Sequence, residues 1–194
     1  MKLVLASHNP GKLREIRALL GQEVVSQEEF GIEEAEEPHP TFLENALAKA
    51  RHASRAAGLP ALADDSGLCV EALRGEPGVH SAYYAGREGS REQRDARNNE
   101  KLLKEVAADR RAYYCCLLAL VKHPDDPRPL IAEGIWHGEI ARTPRGSNGF
   151  GYDPLFYLKE IGKTAAELPP EHKNRISHRG IALQKLLGLL HDQA

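Results

Sequence analysis

Cysteine is scarce in this chain, and its placement excludes two kinds of chemistry. Three cysteines stand among 194 residues, two of them adjacent at Cys115 and Cys116. That is no disulfide framework, and a reduced compartment is the expectation. Nine histidines are scattered without H-x-x-x-H spacing, and no C-x-x-C occurs, so a zinc site is not expected. All three cysteines lie in apolar stretches, the setting of core residues and not of nucleophiles. Long apolar runs are missing too. No stretch approaches the ~20 residues that a membrane helix needs. The N-terminus lacks the charged-then-apolar pattern of a secretion signal, so a cytoplasmic protein with no membrane partner is expected. An excess of one charge is also absent. The formal net charge is -2, which gives no global field to attract nucleic acid, and no nucleic-acid partner is expected.

What is present begins at the first strand. Leu3 to Ala6 is apolar and runs into the polar turn Ser7-His8-Asn9-Pro10-Gly11-Lys12, which opens a helix. A helix N-terminus presents backbone N–H groups and the positive end of the helix dipole, and both suit a phosphate. Lys12 adds a full charge, and Ser7 and Asn9 add side-chain hydrogen-bonding groups. The plain alternative is a common Asn-Pro-Gly turn with a solvated lysine, and the spacing of a P-loop is absent.

Three further groups could do chemistry. Residues 28–37 carry six glutamates and no base, an acidic loop that is a solvated segment in the plain reading. Asp64-Asp65-Ser66-Gly67 reads as a turn closing a short strand, Ala61 to Ala63, with its two aspartates pointing in different directions. One glutamate of the loop and one of these aspartates would suffice for Mg²⁺, which needs one or two protein carboxylates. Gly146 to Asp153 holds three glycines in its first six residues. Phe150 and Tyr152 there offer ring faces for a nucleobase, and Asp153 an acceptor. The alternative is a glycine-rich surface turn with one aromatic buried. Lys173, Ser177, His178 and Arg179 gather donors near the start of the last helix, and Ser177 would cap it. Lys49 lies on a helix running from the Thr41-x-x-Glu44 capping box to Gly58. It is read as opposite the apolar stripe and able to reach a phosphate.

The remaining pattern alternates helix and strand. Strands are predicted at 2–7, Val24-Val25, Cys69 to Leu73, Ala112 to Val121 and Leu130 to Ala141. Helices are predicted at 11–20, 90–106, near 164–168 and over the last stretch, with Leu183, Leu186 and Leu190 in its stripe. The result is a mixed-sheet α/β protein in one domain of two lobes, residues 1–194.

Taken together, Ser7-x-Asn9-x-x-Lys12, Thr41-Phe42-x-Glu44-Asn45-Ala46, Ala63-Asp64-Asp65-Ser66-Gly67-Leu68, Pro77-Gly78-x-x-Ser81-Ala82, Gly149-Phe150-Gly151-Tyr152-Asp153-Pro154 and Ser177-His178-Arg179 resemble the inosine triphosphate pyrophosphatase family. The resemblance spans nearly the whole chain. It implies an elongated mixed β-sheet flanked by helices, two lobes with a central cleft, and a homodimer. It implies Mg²⁺-dependent hydrolysis of non-standard purine nucleoside triphosphates (ITP, dITP, XTP) to monophosphate and diphosphate. By position, Ser7, His8, Asn9, Pro10, Gly11 and Lys12 would hold the triphosphate, His8 and Pro10 having no role of their own. Glu37, with Glu36 adjoining as the alternative, would join Asp65 on the metal. Asp65 would accept the proton of the attacking water, Ser66 would touch substrate, and Lys49 would serve the phosphates. Phe150, Gly151, Tyr152 and Asp153 would hold base and sugar, with Lys173, His178 and Arg179 completing the base pocket. Arg179 would read the purine 6-oxygen. The competing readings are a pyrophosphatase for other modified nucleotides and a non-catalytic nucleotide-binding module.

Overall fold

The computed structural model describes residues 2–20 and 23–192. In chain order the elements are β1 (Leu3–Leu5), α1 (Pro10–Leu20), β2 (Val24–Ser26), α2 (Phe42–Ala57), β3 (Ala61–Val70), α3 (Arg91–Glu105), β4 (Arg111–Val121), β5 (Leu130–Ile140), β6 (Phe156–Leu158), β7 (Lys163–Thr164), α4 (Pro170–Ile176) and α5 (His178–His191). The strands form one mixed seven-stranded sheet in the order β2-β1-β3-β4-β5-β6-β7. β1 pairs parallel with β2 and β3, whereas β6 pairs antiparallel with β5 and β7. The chain divides into two compact units: Met1–Asp65, Cys116–Gly134 and His178–Ala194 form unit one, and Ser66–Cys115 with Ile135–Ser177 forms unit two.

In unit one, β1 is apolar and buried throughout because parallel strands are covered on both faces. Asn9 starts α1 by taking the N–H groups of Gly11 and Lys12 on its side-chain oxygen, at 2.9 and 3.3 Å. Pro10 fits the first turn, where no intrahelical donor is needed. Thr41 caps α2 by accepting the Glu44 N–H, and Gly58, left-handed at φ 66, ends it. The core joins Leu3, Leu5, Ile16, Leu62, Leu118, Leu120, Leu183 and Leu186. At Gly134 of β5 an added Cβ would lie 1.9 Å from the His178 carbonyl oxygen and 2.7 Å from the Ala182 nitrogen. The first turn of α5 therefore rests directly on strand backbone.

In unit two the core centres on Tyr114, Trp136 and Phe156, with Leu68, Leu102, Leu155 and Tyr152 around them. Phe156 lies 4.7 Å from the Tyr114 ring and 5.0 Å from the Trp136 ring, both tilted. Fully burying a side chain of this size contributes roughly 1.5–3 kcal/mol.

Three expectations about local structure fail. The polar run Asp64-Asp65-Ser66-Gly67 does not end a strand: β3 continues through it to Val70, and Glu71–Leu73 is a 3-10 turn instead of a second strand. The carboxylates stay in the ladder because cations meet them there. Pro170 opens α4, and Ser177 closes it, donating its N–H to the Lys173 carbonyl at 2.9 Å. The helix expected near 164–168 is a 3-10 turn over Ala165–Glu167.

Candidate active site

Unit one gathers an ionic web around Asp64. β3 alternates its side chains, so the two aspartates serve different groups. Asp64 is fully buried. One of its oxygens meets the Lys12 ammonium; the other accepts from Arg179 Nε at 2.7 Å and from the Cys116 thiol at 3.2 Å. Arg179, 2% exposed, also pairs with Glu15 of α1. Burial alone would raise the Asp64 pKa, but the charges of Arg179 and Lys12 outweigh it and hold the carboxyl well below its usual range. Burial and the Asp64 charge push the Cys116 thiol well up, so it is a hydrogen-bond donor and no nucleophile.

Asp65 has a different setting. Its Oδ1 lies 3.7 Å from Lys49 Nζ, and its Oδ2 is buried with no hydrogen-bond partner among the described residues. Burial is the largest influence on it and raises its pKa to about 6, against the lowering effect of Lys49 and Lys12. Glu37 reaches the same place through an ion pair with Lys49. Lys49 Nζ also donates to the Asp64 carbonyl at 2.9 Å. The expectation that Lys49 points away from the apolar stripe is therefore corrected. It is buried beside Ala46, Ala50 and Ala53, and its charge is tolerated there because two carboxylates face it. Burial would lower its pKa, but Asp65 and Glu37 raise it, so it is an ammonium.

The N-terminal turn brings the backbone of residues 8–12 together as expected, but its donors are already engaged. Ser7 Oγ accepts the Asn9 N–H at 3.1 Å, Asn9 Oδ1 accepts those of Gly11 and Lys12, and Glu34 Oε1 accepts that of His8 at 3.1 Å. Glu34 places an anionic oxygen on this turn. The His8 ring bonds the Ile32 carbonyl at 2.8 Å. His178 begins α5 and is buried, and Ser66 follows Asp65 in β3, half-buried.

Unit two gathers Phe150, Gly151, Tyr152, Asp153 and Lys173. Asp153 is buried and accepts from the Phe150 N–H at 2.8 Å and from Lys173 Nζ at 2.6 Å. Gly149 is required there: its φ is +76, and a Cβ would lie 2.0 Å from Asp153 Oδ2. The Lys173 ammonium lies 4.9 Å from the Phe150 ring centre. Of the two aromatics read as stacking surfaces, Tyr152 is not one. It is 3% exposed, packs in the core and donates its hydroxyl to the Ser81 carbonyl at 2.8 Å. Phe150 is half-exposed.

Sequence reasoning missed several residues here. It left open which of Asp64 and Asp65 meets a cation, read Cys116 as core and Asp95 as part of a solvated charged face, and did not single out Glu15 or Asn99. Adjacent aspartates after an apolar run were the one local signal for Asp64. Its partners lie 52 and 115 residues away in the sequence.

Among the described residues no cluster of three or more His, Cys, Asp or Glu is placed to hold a metal. Two carboxylates, Glu37 and Asp65, face one ammonium instead, and the buried Asp65 Oδ2 accepts no hydrogen bond from the described residues. Such a pair fits Mg²⁺, which takes few protein ligands and fills its octahedron with water and phosphate oxygens.

Fold and site define an α/β protein in which carboxylates of β3 meet ammonium ions carried by α1 and α2. The chain belongs to the Ham1 family, whose model matches residues 3–189. It is 62% identical over 194 residues to a dITP/XTP pyrophosphatase of Burkholderia pseudomallei, covering 97% of this chain and 93% of the relative. It is 64% identical to one of Bordetella pertussis, covering 97% and 91%. A solved HAM1 protein from Coxiella burnetii superimposes with a TM-score of 0.88 at 49% identity, covering 98% of both chains.

Proposed function

We propose that this chain hydrolyses nucleoside triphosphates of the dITP and XTP class, and ITP with them, to the monophosphate and diphosphate with Mg²⁺. The names of the relatives support the activity and its substrates. The observation that carries the chemistry is the division of labour between neighbouring aspartates. Asp64 is saturated by cations, whereas Asp65 keeps one bare, buried oxygen and a pKa raised to about 6.

In this reading Glu37 and Asp65 hold Mg²⁺. When bound, the ion neutralises triphosphate charge, the main requirement of phosphoryl transfer. Lys12 and the turn from Ser7 to Gly11 take phosphate oxygens. The Glu34 carboxylate oxygen on the His8 N–H supports this, since that N–H already donates to an anionic group. Lys49 holds the two carboxylates close and would serve a phosphate when Mg²⁺ is bound. Asp65 accepts the proton of the water that attacks the α-phosphorus, and diphosphate leaves intact. Ser66 touches substrate beside it. Phe150 stacks on the base, while Gly151, Tyr152 and Asp153 shape the loop and Lys173 and His178 offer donors. Arg179 reaches a base only by leaving Asp64 or Glu15; in its present place it keeps Asp64 ionised. A homodimer in the cytoplasm completes the proposal.

Diphosphate release from a panel of nucleoside triphosphates tests it. dITP and XTP are expected to outrun dATP, with chelator stopping turnover. Asp65→Asn is expected to lower kcat about 10²–10⁴-fold without shifting the thermal unfolding midpoint. Orthophosphate as the first product, or an undiminished Asp65→Asn, overturns it.

A further inference from the structure

The glycine loop in unit two is held from outside by one face of α3. The Gly151 N–H donates to Asp95 Oδ2 at 2.9 Å, and Asn99 Nδ2 donates to the Gly151 carbonyl at 2.9 Å. Both polar groups of a single residue are thus taken by side chains four apart on one helix, the spacing that puts them on one face. Arg91, one turn earlier, continues that face. Its guanidinium lies 4.9 Å from the Phe150 ring centre, and its Nε lies 3.9 Å from Asp95 Oδ2.

The local sequence makes this grip necessary. Gly151 is left-handed, φ +63, and a Cβ there would meet nothing within 4 Å. Gly151 itself has no side chain to pack, so its two hydrogen bonds are its direct grip. α3 is itself anchored. Ser90 and Gln93 form a capping box at its start. Asn98 donates to the Ser81 and Ala82 carbonyls and accepts the Ala85 N–H at 2.7 Å. Asn99 Nδ2 is fixed further by the Asp95 carbonyl at 2.9 Å.

We propose that Asp95 and Asn99 are positioning residues: they clamp the Gly151 peptide and so set where the Phe150 ring presents itself to a nucleobase. This rests on the reading of Phe150 as the stacking residue. Neither side chain touches the phosphates in that reading, so the clamp governs recognition of the base and not the hydrolytic step. A misplaced stacking ring weakens substrate binding, which appears in KM before kcat.

The test compares dITP with ribose 5-triphosphate, which carries the same phosphates and no base. In Asp95→Ala and Asn99→Ala, kcat/KM for dITP is expected to fall about tenfold, mostly through KM, while the base-free substrate changes less than twofold. Asp95→Asn retains an oxygen acceptor for the Gly151 N–H and is expected to recover most of the loss. Amide hydrogen exchange supplies a readout without activity: the Gly151 N–H is expected to exchange at least tenfold faster in Asp95→Ala than in the parent. Equal losses on both substrates, unchanged dITP kinetics, or unchanged exchange at Gly151 overturn the clamp. A parent enzyme that turns over neither substrate overturns the functional reading alone, and the exchange rate then decides the clamp by itself.

Discussion

Each unit buries an aspartate, but the two are stabilised differently. Asp64 in unit one is held by full charges: Lys12 on one oxygen, Arg179 on the other, and a thiol beside it. Asp153 in unit two pairs with Lys173 but also closes a turn of its own backbone by accepting the Phe150 N–H. Asp64 thus depends on residues from distant parts of the chain, whereas Asp153 is half supported by the loop it shapes. The difference teaches where each unit is brittle. A charge web in a dry interior loses heavily when one member goes, because the rest become unpaired ions. A turn closed by backbone hydrogen bonds loses one contact at a time.

Removing the cation from each aspartate breaks the comparison most directly. Arg179→Ala leaves Asp64 and Glu15 facing each other without their shared guanidinium, and urea unfolding is expected to show a loss of about 3–5 kcal/mol. Lys173→Met keeps the packing volume and leaves Asp153 its backbone donor, so about 2 kcal/mol is expected by the same measurement. Equal losses for the two variants would erase the distinction drawn here. The smallest effect belongs to a solvent-facing pair, Asp109 with Arg111, whose Nε and Oδ1 lie 3.0 Å apart. The Arg111 side chain and backbone N–H hold the Asp109 pKa down to about 2. A folded pKa below the unfolded value gives stability that is present above about pH 4 and lost as pH falls toward 2. Asp109→Asn should therefore differ from the parent only slightly at neutral pH, and not at all near pH 2, in unfolding midpoints measured across that range.

Local signals made much of the fold readable in advance. α1, α2 and α3 begin within a residue of their expected starts, and Gly58 ends α2 as its left-handed φ requires. β4 and β5 follow from their long apolar and alternating runs. What failed depended on partners far along the chain. Asp64-Asp65 looks like a turn until Lys12, Lys49 and Arg179 are known to stand against it, and only then can β3 run on. The Gly151 clamp was invisible because Asp95 and Asn99 lie in a charged helix that reads as a solvated face. The candidate site was legible as a list of residue types and less so as an arrangement. Tyr152 and Lys49 carry the right chemistry, but their burial redirects it.

Gly134 carries no functional group, yet it sets how deep α5 can settle. A single added methyl on β5 would have to lift the backbone that begins with His178 and so draw Arg179 away from its carboxylates. A selection for inactive variants should therefore recover substitutions at this plain strand residue as readily as at the aspartates themselves, and the thermal behaviour of those variants should mimic loss of the arginine.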